Sequence, residues 1–364
     1  MSGKYKVPSM KEIEAIPWNG YNVVSTFSGG GGSCLGYEMA GYHVLWANEF
    51  IPEAQNTYRA NHKHTFLNTN DIRTVTAEDI LRETNLQVGE IDLFDGSPPC
   101  CAFSTAGSRE KGWGKVRTYS DSKQRVDDLF FEYIRLVKEL KPKVFIAENV
   151  SGLIKGSAKG YFKIILSEMK EAGYEVNARL LNAKYLGVPQ SRERIIFIGV
   201  RNDLVEKYDV HPTYPTPVDD IITLSDALEN IIGDEEASEK LLESEKTHRV
   251  YEILQKIPKN PKRPIKGSKV MNGSWFNLSR ESMYCPCSTV AQAGGHPGGA
   301  TNIHPLYDRP FTVAELKRIF SVPDDFVLTG DYPKQWERLG RMVPPVMMMN
   351  ISKTVKEEIL DKIK

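Results

Sequence analysis

Five largely apolar runs of strand length, at residues 23–27, 44–47, 91–94, 144–147 and 195–200, recur through the first 200 residues. A strand that is apolar on both sides cannot present either side to water, so these runs predict a sheet covered on both faces. Helical patterns lie between them. Residues 128–140 place Leu129, Phe130, Tyr133, Ile134, Val137 and Leu140 on one side and stop at Lys141-Pro142. Residues 161–172 form another such pattern, ended by Gly173. Strands alternating with helices are the mark of an α/β fold, a doubly wound parallel sheet. Residues 201–305 are instead rich in Pro, Gly and charge, which suits a smaller, loop-rich domain. Helical patterns return at 312–320 and 347–364.

A chain of 364 residues with 40% hydrophobic content can bury one large core or two smaller ones. No stretch approaches a membrane span, and the first ten residues lack an apolar signal core, so a cytoplasmic protein is the expectation. The odd count of five cysteines argues against a disulfide framework. Cys285-Pro286-Cys287 lacks the two-residue spacer of a zinc knuckle, and no metal is expected. Net charge is zero, but its distribution is uneven. Residues 219–246 carry ten Asp/Glu against two Lys, a net of −8, and read as a solvated face. Residues 247–285 carry eight Lys/Arg against two Glu, a net of +6, interleaved with Trp275, Phe276 and Tyr284. That mixture suits a nucleic-acid surface.

The first apolar run leads directly into Ser28-Gly29-Gly30-Gly31-Gly32. Glycines there let the backbone approach a ligand at the sheet edge. The second run ends in Asn48-Glu49, with Glu49 18 residues beyond Gly31, where an acid can hold ribose hydroxyls. Alone, this pair fits NAD, FAD or S-adenosylmethionine equally well. Asp71, in Asn70-Asp71-Ile72, reads by itself as a turn or cap residue.

The third run precedes Pro98-Pro99-Cys100, where two prolines restrict the backbone and set a thiol at the mouth of a strand. A thiol so placed is a nucleophile candidate. The fourth run ends in Glu148-Asn149-Val150, a carboxylate at a strand end. Ahead of the fifth stands Gln190-Ser191-Arg192-Glu193-Arg194, and strand alternation puts Gln190, Arg192 and Arg194 on one face. Two arginines and a Gln leading into a buried strand suit an anionic or carbonyl-bearing ligand.

Taken in order, these motifs resemble the DNA cytosine-5 methyltransferases of bacteria and phages. Phe27 through Gly32 resembles that family's cofactor loop, Pro98-Pro99-Cys100 with Phe103-Ser104 its nucleophile turn, and Glu148-Asn149-Val150 its acid motif. Gln190 through Arg194 resembles its Gln-x-Arg-x-Arg strand. Arg309-Pro310-Phe311-Thr312, Pro323 through Phe326, and Gly340 through Pro345 resemble its late motifs. The resemblance implies a Rossmann-like S-adenosylmethionine-dependent sheet with a smaller target-recognition domain. It divides the chain into a catalytic domain at 1–200, target recognition at 201–325 and a return segment at 326–364. A NAD-dependent oxidoreductase would leave the cysteine turn and the arginine strand idle. A non-catalytic DNA-binding relative would be marked by loss of Cys100 or Glu148, and both are present.

The resemblance also implies roles. Cys100 would attack carbon 6 of a cytosine, Glu148 would hold its N3 and amino edge, Arg194 would hold O2, and Arg192 would brace the nucleophile loop. Phe27, Gly29, Gly31, Gly32, Glu49, Asp71, Ile72, Pro98, Arg341 and Val343 would line the S-adenosylmethionine site. Ser104, Arg109, Lys111, Arg117, Arg125, Gln190, Arg263 and Lys266 would touch double-stranded DNA. The target carbon is closed off inside a stacked duplex, so the base would be flipped out. Residues 105–125, with six Lys/Arg against Glu110 and Asp121, would close over the DNA as a basic lid. A monomer suffices for this, and restriction–modification would add a separately encoded endonuclease as partner.

Two positions depart from the family pattern. Cys101 stands where Gln usually follows the nucleophile, and Arg341 stands where Asn usually follows Gly340. A guanidinium at ~6 Å from a sulfonium, at an effective dielectric near ~20, would be repelled by roughly 3 kcal/mol. That is about a hundredfold in affinity unless a carboxylate offsets it. The same charge would favour carboxy-S-adenosylmethionine and transfer of a carboxymethyl group.

Overall fold

The computed structural model describes residues 5–99, 117–119, 122–124, 128–156, 158–231, 234–270, 277–296, 298–299 and 301–364. The chain forms two compact units from non-consecutive stretches. One comprises Ile16–Leu181, Glu193–Thr216 and Met348–Lys364, and the other Met1–Ala15, Asn182–Arg192 and Pro217–Met347.

The first unit is built on a seven-stranded sheet. In chain order the strands are β1 (Asn22–Thr26), β2 (His43–Asn48), β3 (Phe66–Asn68), β4 (Leu93–Gly96), β5 (Arg117–Tyr119), β6 (Ser122–Gln124), β7 (Val144–Val150), β8 (Tyr174–Asn182), β9 (Gln190–Ser191) and β10 (Glu193–Arg201). The large sheet has the order β3-β2-β1-β4-β7-β10-β8, while β5 and β6 pair separately with each other. Strands β3, β2, β1, β4 and β7 run parallel, as the apolar runs predict. β10 runs antiparallel to β7, so the sheet is not wholly parallel. The link of residues 183–192 between β8 and β10 holds a short helical turn and the two-residue β9. Parallel neighbours need a longer crossover, usually a helix, and this link cannot supply one.

The predicted strands are the sheet's interior. Val23, Val24, Leu93, Phe94, Phe145, Ile146, Phe197 and Ile198 are fully buried. The helix Leu129–Leu140 covers one face with Phe130, Tyr133, Ile134 and Val137, and ends where Lys141 turns left-handed ahead of Pro142. The helix Ala158–Glu171 also packs on this core through Ile165 and Met169. Phe197 of β10 lies between Phe130 and Phe162, with ring centroids 5.8 and 5.6 Å away.

In the second unit, short strands Ile265–Lys266, Ser279–Arg280 and Asn302–Ile303 form a small sheet. Val250, Ile253, Leu254, Ile257, Leu278 and Ile303 make its core. The acidic block contributes the largely exposed helix Glu235–Lys246, with only Glu245 buried, accepting from the Gly298 N–H. Among the described residues, no helix is long and apolar enough to cross a membrane.

Removing the Phe197 ring leaves a void between two helices and the sheet. Phe197→Ala should lower stability by about 3–5 kcal/mol, read as a fall in the urea midpoint with little change in slope.

Candidate active site

The register of the parallel strands places three sequence motifs side by side. Thr26 of β1 pairs with Gly96 of β4, and Gly96 pairs with Ala147 of β7. The residues that follow are Phe27, Ser97 and Glu148. The glycine turn, the cysteine turn and the acid thus leave the sheet at the same edge, where ligands bind in open α/β sheets.

The glycine turn is tightly specified. Phe27, Gly29 and Gly31 have φ of 54°, 57° and 91°, and Gly31 caps the helix Gly32–Met39. A non-glycine residue in this region is uncommon, and Phe27 carries some backbone strain. The Gly29 N–H donates to Glu49 Oε2 at 2.8 Å and the Ile51 N–H to Glu49 Oε1 at 2.6 Å. The buried Glu49 carboxylate therefore pins the turn. A Cβ at Gly29 would meet open space. At Gly31 it would lie 2.1 Å from His62 Nε2, so only glycine fits. His62, which the sequence did not mark, is buried, stacked on Tyr58 and paired through Nδ1 with Glu38 at 3.0 Å. Open space beside Gly29, with the Glu49 carboxylate against the same turn, fits an adenosine-bearing cofactor.

Asp71 caps the turn Ile72–Thr74, accepting from the Arg73 N–H, and also pairs with the Arg73 guanidinium at 3.0 Å. The cap reading of this residue is thus what its side chain does here. Ile72 and Pro98 are buried.

The cysteine turn is fastened to the acid strand. Asn149 Nδ2 donates to the Pro98 carbonyl at 3.0 Å, from a buried position. Gly96 leaves no room for a side chain, since a Cβ would lie 2.5 Å from Tyr133 and 2.7 Å from Thr26 Oγ1. Glu148 forms an ion pair with Arg194 Nε at 2.6 Å, both side chains about nine-tenths covered. Burial lowers the pKa of Arg194 and Glu148 raises it again, and the guanidinium stays charged at any working pH. Cys100, Cys101, Ser104, Arg109, Lys111 and Arg125 lie outside the described residues, as does most of the 105–125 segment, and Arg117 is described by its β5 backbone alone.

Asp95, the residue before Gly96, is another group the sequence did not mark. It is fully buried and accepts from Ser25 Oγ and from the Tyr37 hydroxyl, each at 2.8 Å. Burial pushes its carboxyl up to about 7, against the downward pull of these two donors and with a smaller push from Glu148.

The single face expected for Gln190, Arg192 and Arg194 is not formed as one strand. β9 ends at Ser191 and pairs with Cys287–Ser288 in the second unit, whereas Arg194 lies in β10. Gln190 is fully buried, and its amide oxygen accepts from the Val290 N–H at 3.3 Å. This corrects the expected DNA contact, because a side chain packed inside the second unit does not face a duplex. Arg192 is also buried and donates to the carbonyls of Val290 and Gly340 at 3.0 and 2.7 Å. It braces backbone of its own unit, and the nucleophile loop that the resemblance has it brace lies outside the described residues. Arg341, at the end of the helix Tyr332–Arg341, pairs with Glu337 at 2.7 Å, and Val343 is buried two residues on. Arg263 and Lys266 lie on exposed positions, as do Arg249, Lys262 and Lys269.

Comparison with known proteins bears on the same motifs. The profile of the C-5 cytosine-specific DNA methylases matches residues 21–357. The chain belongs to this family. A type II methyltransferase of Neisseria gonorrhoeae, M.NgoFVII, is 30% identical over 346 residues, covering 92% of this chain and 86% of its own. Another, M.Eco47II of Escherichia coli, is 31% identical over 358 residues, covering 95% and 81%. Among solved structures, a protein described as a DNA modification methyltransferase, encoded within an E. coli prophage, shares the fold. Its TM-score is 0.70 at 24% identity, with 94% of this chain and 99% of that one covered. The sheet is therefore the Rossmann-like fold of the C5 methylases, and the family implies S-adenosylmethionine as cofactor.

Two outcomes follow for this C5 methylase. Asn149→Ala removes the donor to a buried carbonyl and should cost about 1–3 kcal/mol in a urea titration. Asp95 has a higher pKa folded (about 7) than its ordinary 3.8, so the folded state holds the proton more tightly. Its stability contribution is complete below the lower value and is lost as pH rises through the higher one. Asp95→Asn removes that dependence, so its melting temperature should gain on the parent protein more at pH 8 than at pH 5.

Proposed function

We propose that this C5 methylase transfers a methyl group from S-adenosylmethionine to carbon 5 of a cytosine flipped out of double-stranded DNA. The observation that carries this reading is the Glu148–Arg194 pair, at the same sheet edge as a proline turn that Asn149 fastens. Carbon 5 of cytosine is a poor nucleophile. The Cys100 thiolate adds to carbon 6, forming a carbon–sulfur bond and pushing electron density onto carbon 5. Glu148 hydrogen-bonds N3 and the amino group, and Arg194 hydrogen-bonds O2, which holds the ring against the thiolate. The cofactor supplies an electrophilic methyl on a sulfonium. Loss of the carbon-5 proton then breaks the bond to Cys100 and restores the thiolate.

Gly29, Gly31 and Glu49 hold the cofactor's adenosine, with Phe27, Gly32, Asp71, Ile72 and Pro98 around them. Ser104, together with Arg109, Lys111, Arg117 and Arg125 of the lid, contacts the DNA. Arg263 and Lys266 of the second unit add phosphate contacts, which give affinity rather than sequence choice. The protein acts as a monomer in the cytoplasm. Its likeness to type II methyltransferases favours a separately encoded restriction endonuclease as partner.

A second reading, transfer of a carboxymethyl group from carboxy-S-adenosylmethionine, rests on Arg341. Glu337 supplies a carboxylate that offsets this guanidinium, which is why methylation stands first. That carboxylate is shared with Arg338 at 3.3 Å, so it offsets each guanidinium less than an exclusive partner would.

Nucleoside mass spectrometry of treated DNA, with each cofactor alone and then in competition, tests both readings. 5-Methylcytosine that disappears in Cys100→Ser, with DNA binding retained, is the expected result. Turnover persisting in Cys100→Ser overturns the mechanism. A preferred 5-carboxymethylcytosine product that reverts to methylation in Arg341→Asn establishes the second reading instead.

A further inference from the structure

The mechanism above leaves one buried carboxylate unused. Asp95 sits in β4 between the glycine turn and the cysteine turn, and its oxygens accept from Ser25 of β1 and Tyr37 of the helix Gly32–Met39. Ser25 Oγ lies 3.0 Å from Ser28 Oγ, and Ser28 opens the glycine turn. Asp95, Ser25 and Ser28 therefore form a hydrogen-bonded relay that ends at the residue next to Gly29.

The relay has two polarities. Ionised Asp95 can only accept, so it takes the one hydroxyl proton of Ser25, and Ser25 Oγ is left to accept from Ser28. Protonated Asp95 carries a donor of its own. Donation to Ser25 turns Ser25 toward Ser28, which frees the Ser28 proton for the Ser25 carbonyl, 3.3 Å away, or for a ligand at the turn. The ionised state thus presents a lone pair at the turn and a full negative charge beneath it, in a setting where charge is weakly screened.

We propose that Asp95 is a positioning residue for the cofactor, acting through Ser25 on Ser28, and that its ionised form selects the positively charged S-adenosylmethionine over S-adenosylhomocysteine, whose sulfur is neutral. This rests on the methyltransferase reading above. The groups facing Asp95 leave it as the one that changes charge near neutrality. Cys34 of the same helix as Tyr37 is pushed up to about 12 by burial. Tyr37 and, from the helix Leu129–Leu140, Tyr133 are raised well above the ordinary phenol value, also by burial. Glu148 of β7 is ion-paired with Arg194, and the remaining contacts, Ser25 and Thr26 of β1, do not titrate. Burial brings Asp95 itself to about 7.

The test is calorimetric binding of S-adenosylmethionine and S-adenosylhomocysteine, without DNA, to the full chain at pH 6 and pH 8. The parent protein's preference for the charged cofactor should rise on the order of tenfold between the two. Comparing the two ligands cancels the titration of their shared amino acid group. In Asp95→Asn the preference should be flat with pH. Ser25→Ala keeps the charge but cuts the relay, and should bring the pH 8 preference down toward the pH 6 value. A parent preference that does not change with pH overturns the proposal, as does an unchanged rise in Asp95→Asn or in Ser25→Ala. Failure of the parent protein to bind either ligand at any pH would instead overturn the methyltransferase reading. Binding and methylation without the pH-dependent preference would leave that reading standing and remove only the role of Asp95.

Discussion

Pairing of β4 between β1 and β7 governs the geometry of the site. Each of these strands is buried in the sheet, so the groups that can touch a ligand directly lie where the ladders end. The common register through Thr26, Gly96 and Ala147 makes the β1–β4 and β4–β7 ladders end together. The glycine turn, the cysteine turn and the acid are far apart in sequence, yet they emerge at one edge because burial of the apolar side chains on both faces sets this register. A register slip of one residue would turn Glu148 to the opposite face of the sheet.

What surrounds that edge is a set of polar groups held by backbone and by each other. Glu49 accepts from two backbone N–H groups across the glycine turn, and Asn149 donates to the Pro98 carbonyl. Such bonds contribute modestly to net stability, but leaving one unmade in a buried place is costly. They therefore act mainly to fix shape. His62 against Gly31 and Tyr133 against Gly96 do the same by excluding any side chain at either glycine. Asp95 differs from Glu49 in that its carboxyl accepts from side-chain hydroxyls, where Glu49 accepts from backbone N–H groups. Its two hydroxyl donors satisfy it without neutralising it.

Much of the fold was legible because buried parallel strands leave a simple trace. All five apolar runs became interior strands, and both helical patterns in the first 200 residues became helices. Two strands of the large sheet escaped notice. β3 is only Phe66–Asn68, with Phe66 half exposed, and β8 lies at the far edge with Leu180 exposed. Edge strands bury one side at most, so their composition does not separate them from loops. Alternation across Gln190, Arg192 and Arg194 misled for a related reason. It presumes one continuous strand, and here Ser191 ends a two-residue strand paired with Cys287–Ser288, with the last arginine in the next strand.

By itself, the sequence determined the class of fold and the chemical types at the site. Apolar runs, Gly-rich and Pro-Pro turns and an acid at a strand end are local features, and local sterics and hydrophobicity suffice to read them. The tertiary structure alone decided which groups meet. Nothing local distinguishes Asp95 in Leu93-Phe94-Asp95-Gly96 from a solvent-facing aspartate until helix Gly32–Met39 sets Tyr37 over it. Nor does the sequence tell Arg194, which reaches Glu148, from Arg192, which reaches Val290 and Gly340. The physical reason is the same in both cases. The environment of a charge is set by the chain segments packed around it, and those come from distant positions in the sequence.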